Sequence, residues 1–87
     1  MDGVFIRFLN KLGITDLSPF SDCLLSKCDF KKDINMLVVE IKAKNILKYE
    51  HYKAIFDGLE KCDYKTQLTF IYENEIDKNK LFDLLKD

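Results

Sequence analysis

Three cysteines and one histidine are the residues best suited to metal or nucleophile chemistry in this 87-residue chain: Cys23, Cys28, Cys62 and His51. Three thiolates and an imidazole match a common zinc set. Their spacing does not. No Cys-x-x-Cys pair is present, and Cys23 and Cys28 lie five apart in a stretch that reads as extended, which sends them to opposite faces. Small buried thiols are the reading we carry forward, with no metal site. A Cys–His nucleophile pair needs a thiol activated by His51. His51 falls between Glu50 and Tyr52, out of step with the apolar stripe of its helix, and reads as a solvated side chain. Carboxylates occur in two groups, Glu73, Glu75 and Asp77 after the last strand and Asp29, Asp33 and Glu40 around a hairpin. Neither has the convergent spacing of an acid/base or two-metal site. No catalytic residue and no cofactor are therefore assigned, and no small-molecule substrate is expected.

The glycines Gly3, Gly13 and Gly58 are isolated, so no phosphate-cradling loop is present. Lys27, Lys31, Lys32, Lys42 and Lys44 form a candidate weak nucleic-acid patch on the polar side of the hairpin. No aromatic side chains for base stacking stand beside them. Overall charge is nearly balanced, with 14 basic and 15 acidic side chains. Proteins that live by neutralising phosphates usually carry a basic excess. Direct DNA contact is accordingly expected to be weak.

The elements that must position these residues follow from periodicity. Phe5, Phe8, Leu9 and Leu12 recur at helical spacing, which predicts a helix over Val4–Leu12 stopped by Gly13. Ser18-Pro19 starts a short turn. Leu24–Lys32 alternates as a strand, with Leu24, Ser26, Cys28 and Phe30 on one face and Leu25, Lys27, Asp29 and Lys31 on the other. A turn at Lys32–Asn35 leads into a second strand, Met36–Lys44. Its inward residues are Leu37, Val39, Ile41 and Ala43. Met36, Val38, Glu40, Lys42 and Lys44 point outward.

A helix over Tyr49–Lys61 buries Tyr49, Tyr52, Ile55, Phe56 and Leu59. A third strand covers Gln67–Glu73, with an earlier start at Tyr64 left open. Asp77 caps a last helix, Lys78–Lys86, whose apolar side is Leu81, Phe82, Leu84 and Leu85. The order α-β-β-α-β-α predicts a single α+β domain over 1–87, with a small, mainly antiparallel three-stranded sheet and helices packed on it. Met36, Val38 and Ile71 remain as an outward apolar spot, a candidate partner-docking surface unless the first helix covers it. The odd cysteine count and the lack of a signal peptide or apolar span point to a reducing, cytoplasmic setting with no membrane role.

The runs Phe5–Ile14 (FIRFLNKLGI), LLSKCDF, LVVEIK and ILKYEHYKAIFDGLEK together resemble the extreme N-terminus of PolC-type DNA polymerase III. This is the replicative polymerase chain of low-GC Gram-positive bacteria and mollicutes. Leu47, Lys48 and Tyr52 match that family's loop-helix start, with Lys48 in place of its usual Pro. Aliphatic residues replace the aromatics usual in its second strand. The Lys-rich, Ala-poor composition agrees with AT-rich hosts. The resemblance implies a truncated KH-like fold without the Gly-x-x-Gly loop of functional KH modules. It also implies that residue 87 is a boundary within a longer polymerase with 3'-5' exonuclease activity. It implies a non-catalytic docking role in chromosome replication, with clamp-loader or primosome subunits as partners. The alternatives are a KH-like single-stranded nucleic-acid binder and a small free-standing cytosolic regulator.

Overall fold

The computed structural model describes residues 2–85, without the side chains of Phe82, Leu84 and Leu85. Helix α1 spans Gly3–Lys11. Asp2 caps it, its carboxylate accepting the Val4 N–H at 3.0 Å. At the other end the Ile14 N–H donates to the Leu9 carbonyl and the Gly13 N–H to that of Asn10, both at 3.0 Å. Those two bonds form a Schellman close. It places Gly13 at φ +82°, a conformation costly for any residue with a Cβ. The connector then makes a 3-10 turn over Ser18–Phe20. Asp16, rather than Ser18, organises it: its carboxylate accepts from the Ser18 hydroxyl at 2.7 Å and the Ser18 N–H at 3.2 Å.

Strands β1 (Cys23–Lys31) and β2 (Met36–Ala43) form the expected antiparallel hairpin, joined by a 3-10 turn over Lys32–Ile34. Asn35 follows in the left-handed region at φ 50°. Helix α2 (Tyr49–Glu60) leads to β3 (Lys65–Tyr72), which pairs with β2 in parallel, Met36 opposite Lys65 and Ala43 opposite Tyr72. The sheet order is β1-β2-β3. The α+β class and the element order agree with the sequence reading. The expectation of a mainly antiparallel sheet is corrected: one ladder is antiparallel and one parallel. The cause is α2, which carries the chain back along the sheet before β3 begins, as a parallel crossover requires. Helix α3 spans Lys78–Leu85. Asp77 caps it as expected, accepting the N–H groups of Asn79 and Lys80. The apolar side assigned to Phe82, Leu84 and Leu85 and the helix end at Lys86 lie outside the described residues.

Helices α1 and α2 share one face of the sheet. Phe5, Phe8 and Leu9 of α1, Ile55 and Leu59 of α2, and Val39, Ile41 and Ala43 of β2 form one buried cluster with Phe20 and Cys23. The aromatic rings of Phe5 and Phe20 meet edge to face, 6.5 Å apart. Tyr52, Ile55, Gly58 and Leu59 are the buried residues of α2, while Tyr49 and Phe56, expected in that stripe, remain exposed at its rim. The first helix therefore does not cover the outward face of β2.

One irregularity in β1 rearranges its side chains. Leu25 pairs with Ile41 and Lys27 with Glu40, so two residues of β1 oppose one of β2 at Ser26. This bulge shifts the alternation by one position. Before it, Cys23 and Leu25 face the core. After it, Cys28 and Phe30 do, opposite Val39 and Leu37. The single face expected for Leu24, Ser26, Cys28 and Phe30 is thus corrected. Leu24 turns outward beside Lys42 and is 50% exposed. Cys23 and Cys28 consequently share a face instead of opposing each other. Their partners Ala43 and Val39 are four residues apart, roughly 13 Å along the strand, so the two thiols form no pair.

Candidate docking surfaces

The outward sheet face carries both groups of site residues expected from sequence. Met36 and Val38 are half-buried neighbours on β2, opposite Lys31 and Asp29 of β1. Ile71 stands at the other end of the face, 40% exposed, level with Lys42 and Leu24. Glu40 and Thr69 separate the two ends. The structure therefore brings Met36 and Val38 together but not Ile71, whose apolar neighbour is Leu24. A shallow hollow of about 380 Å³ joins Leu24, Lys42 and Ile71 to Asp22 and Glu73.

The five lysines do not converge. Lys27, Lys31 and Lys42 share the outward face, Lys32 sits in the hairpin turn, and Lys44 follows the end of β2. Acids interrupt them. The Lys31 ammonium bonds the Asp29 carboxylate at 2.9 Å, which holds that carboxyl below its usual range and raises the lysine. Lys27 stands opposite Glu40, which accepts the Ser26 hydroxyl at 2.8 Å. Lys42 shares its hollow with Asp22 and Glu73. Such a face alternates in sign and lacks the continuous positive stripe that tracks a phosphate backbone.

The groups suited to chemistry are dispersed. His51 is half-buried, edge-on to the Phe20 ring at 5.9 Å, with its Nε2 3.7 Å from a Glu50 oxygen. It packs more closely than a solvated helix histidine. Cys23 is buried and Cys62 half-buried, but Cys28 is exposed, which corrects the expectation of small buried thiols. Desolvation pushes the Cys23 and Cys28 thiols up, away from the reactive thiolate form. The Cys62 thiol donates to the Gly58 carbonyl at 3.5 Å. Among the described residues no three His, Cys, Asp or Glu side chains gather as a metal site. Comparison with known protein families, curated proteins and solved structures returned no match. Among the described residues no helix is long and apolar enough to cross a membrane.

A further concavity was not anticipated from sequence. An open groove of about 830 Å³ runs between α1 and the hairpin end of the sheet. Val4, Arg7, Phe8 and Lys11 line one side, and Cys28, Phe30, Leu37 and Tyr64 the other. Val4 and Phe30 are 47% and 42% exposed. The signal for one wall was present in the sequence: Val4, Arg7, Phe8 and Lys11 recur at helical spacing, beside the stripe that enters the core. The opposite wall was partly readable too, since Cys28 and Phe30 share a face of β1 in the sequence pattern and Leu37 is inward on β2.

Proposed function

We propose that this chain is a non-catalytic protein-interaction domain at the N-terminus of a PolC-type replicative polymerase, acting in bacterial chromosome replication in the cytoplasm. The observation that carries the proposal is a two-layer fold with one sheet face uncovered among the described residues, where Leu24 and Ile71 stand exposed at one end and Met36 and Val38 half-buried at the other. Exposed apolar area on so small a domain favours adhesion to another macromolecule. The resemblance from Phe5 to Lys61 supplies the polymerase context, and the βαβ crossover is in keeping with a truncated KH-like outline. Clamp-loader and primosome subunits are the proposed partners. Direct DNA binding is the weaker reading, since acids interleave the hairpin lysines.

Titration of the chain against purified clamp-loader and primosome subunits tests the proposal. Saturable binding at micromolar concentration is expected for at least one subunit. No binding to any of them, or a reading frame that stops after the codon for Asp87, overturns it.

A further inference from the structure

We infer that the groove between α1 and the hairpin end of the sheet seats an acidic amphipathic helical segment of a protein partner. The inference rests on the docking reading above and deepens it, by naming a second surface and the chemistry of its occupant.

The floor is apolar, and Arg7, Asn10 and Lys11 stand on the α1 wall. Phe8 reaches from the core into the groove, Val4 stands exposed above it, and Phe30 packs edge-on against Tyr64 at 5.8 Å on the far side. The charges are of one sign. Among the described residues, Arg7 and Lys11 line the groove and no acidic side chain does. This contrasts with the outward sheet face, where each lysine has an acid close by, and with a chain whose net charge is −1. Among the described residues neither Arg7 nor Lys11 forms an ion pair. Arg7 is the only arginine of the chain, and its guanidinium can take a carboxylate through two parallel hydrogen bonds.

Size and shape agree with a helix. Val4 to Lys11 spans roughly 10 Å along α1, about two turns. A partner helix laid against that length presents apolar residues at i, i+3, i+4 and i+7, with flanking carboxylates over Arg7 and Lys11. A nucleic acid is disfavoured because two cations, Arg7 and Lys11, are too few to track a phosphate backbone.

The test uses two synthetic helical peptides with identical leucines at i, i+3, i+4 and i+7, one filled with glutamate and one with lysine. Each is titrated into isotope-labelled chain and followed by amide shifts. The glutamate peptide is expected to move Val4, Arg7, Lys11, Phe30 and Tyr64, and the lysine peptide to leave them in place. Charge reversal by Arg7→Glu with Lys11→Glu, both exposed sites, is expected to weaken the glutamate peptide about tenfold at low salt. Val4→Glu serves as a second exposed variant with the same expected direction. The inference is overturned by any of three results: no shifts at millimolar peptide, shifts centred on Met36, Val38 and Ile71, or equal affinity in the reversed variants.

Clamp-loader and primosome subunits are then titrated into wild-type and reversed chains. If the glutamate peptide fills the groove but no subunit binds the wild-type chain, the replisome reading fails and the groove stands. If a subunit binds both chains equally, the groove fails as its seat and the replisome reading stands.

Discussion

The hydroxyls of Tyr52 and Tyr72 lie 2.6 Å apart, one on α2 and the other at the end of β3. The Tyr52 oxygen also accepts the Leu47 N–H at 3.1 Å. Three segments distant in sequence are thereby tied at one end of the core: the loop after β2, the crossover helix, and the last strand. The Phe70 ring packs edge-on against Tyr52 at 5.1 Å and closes the cluster from the sheet side. Leu47 and Tyr52 belong to the loop-helix start that the resemblance singled out, so in this chain those positions hold the crossover in place.

Removing the Tyr52 hydroxyl strands two partners at once. Tyr52→Phe leaves the Leu47 N–H and the Tyr72 hydroxyl short of a bond, and is expected to cost about 1–2 kcal/mol in urea unfolding. The pair also predicts an alkaline limit. Burial, then the bond to Tyr52, pushes the Tyr72 phenol above its ordinary value near 10. The folded chain therefore holds that proton where the unfolded chain releases it. Stability from this group is complete below about pH 10 and declines as pH rises through the raised folded value. Urea midpoints measured across the alkaline range should fall less steeply for Tyr72→Phe than for wild type. Equal slopes would show that another group sets the limit.

Gly58 marks where α1 and α2 come together. A Cβ built there would stand 2.7 Å from the Leu12 Cβ and 2.8 Å from the Leu12 carbonyl oxygen. Alanine is normally the better helix former, by about 1 kcal/mol. Here overpacking against backbone outweighs that gain, and Gly58→Ala is expected to destabilise by about 1–3 kcal/mol. Thermal unfolding followed by circular dichroism measures it. A variant as stable as wild type would mean that the two helices can move apart freely.

Most of the fold was legible in the sequence because β2, α1 and α2 each carry one strong period. Val39, Ile41 and Ala43 alternate, and Phe5, Phe8 and Leu9 recur at helical spacing; all six are buried. β1 was harder. The dipeptide Leu24-Leu25 allows either leucine to face the core, and a bulge at Ser26 leaves no mark on an alternating pattern. It is set by pairing with β2, a contact between distant residues. Parallel pairing of β3 was also a matter of the crossover, since a strand with Leu68, Phe70 and Tyr72 inward reads the same in either direction. As for the surfaces, the positions of Met36, Val38 and Ile71 on the outward face were readable. Their separation by Glu40 and Thr69 needed the register. The groove needed the placement of α1 against the hairpin end of the sheet.

Thr66 carries an unusual polar atom. Its hydroxyl is buried and has no hydrogen-bond partner among the described residues, on the inner face of β3 in a hollow that it shares with Phe56, Leu59, Leu68 and Cys62. An unpaired buried hydroxyl costs free energy that an apolar group of the same shape does not. Thr66→Val keeps the β-branched shape and is expected to raise stability by up to about 1 kcal/mol. The urea midpoint reports the gain directly, and a clear loss would indicate that the hydroxyl finds a partner in solution.

Asn35 joins the hairpin to the start of β3 by two separable means. Its backbone is left-handed at φ 50°, and its carbonyl accepts the Lys65 N–H at 3.0 Å. Its side-chain amide donates to the Asp63 carbonyl, also at 3.0 Å. Glycine preserves the backbone conformation and loses only the amide bond, so Asn35→Gly is expected to cost about 1 kcal/mol or less. Alanine loses the amide bond and is strained in the left-handed region as well. Asn35→Ala should therefore be worse than Asn35→Gly by about another 1 kcal/mol. The order of the two variants in urea unfolding is the informative readout. If alanine and glycine are equally destabilising, the side-chain bond to Asp63 is what holds the turn against β3, and the left-handed backbone carries little strain.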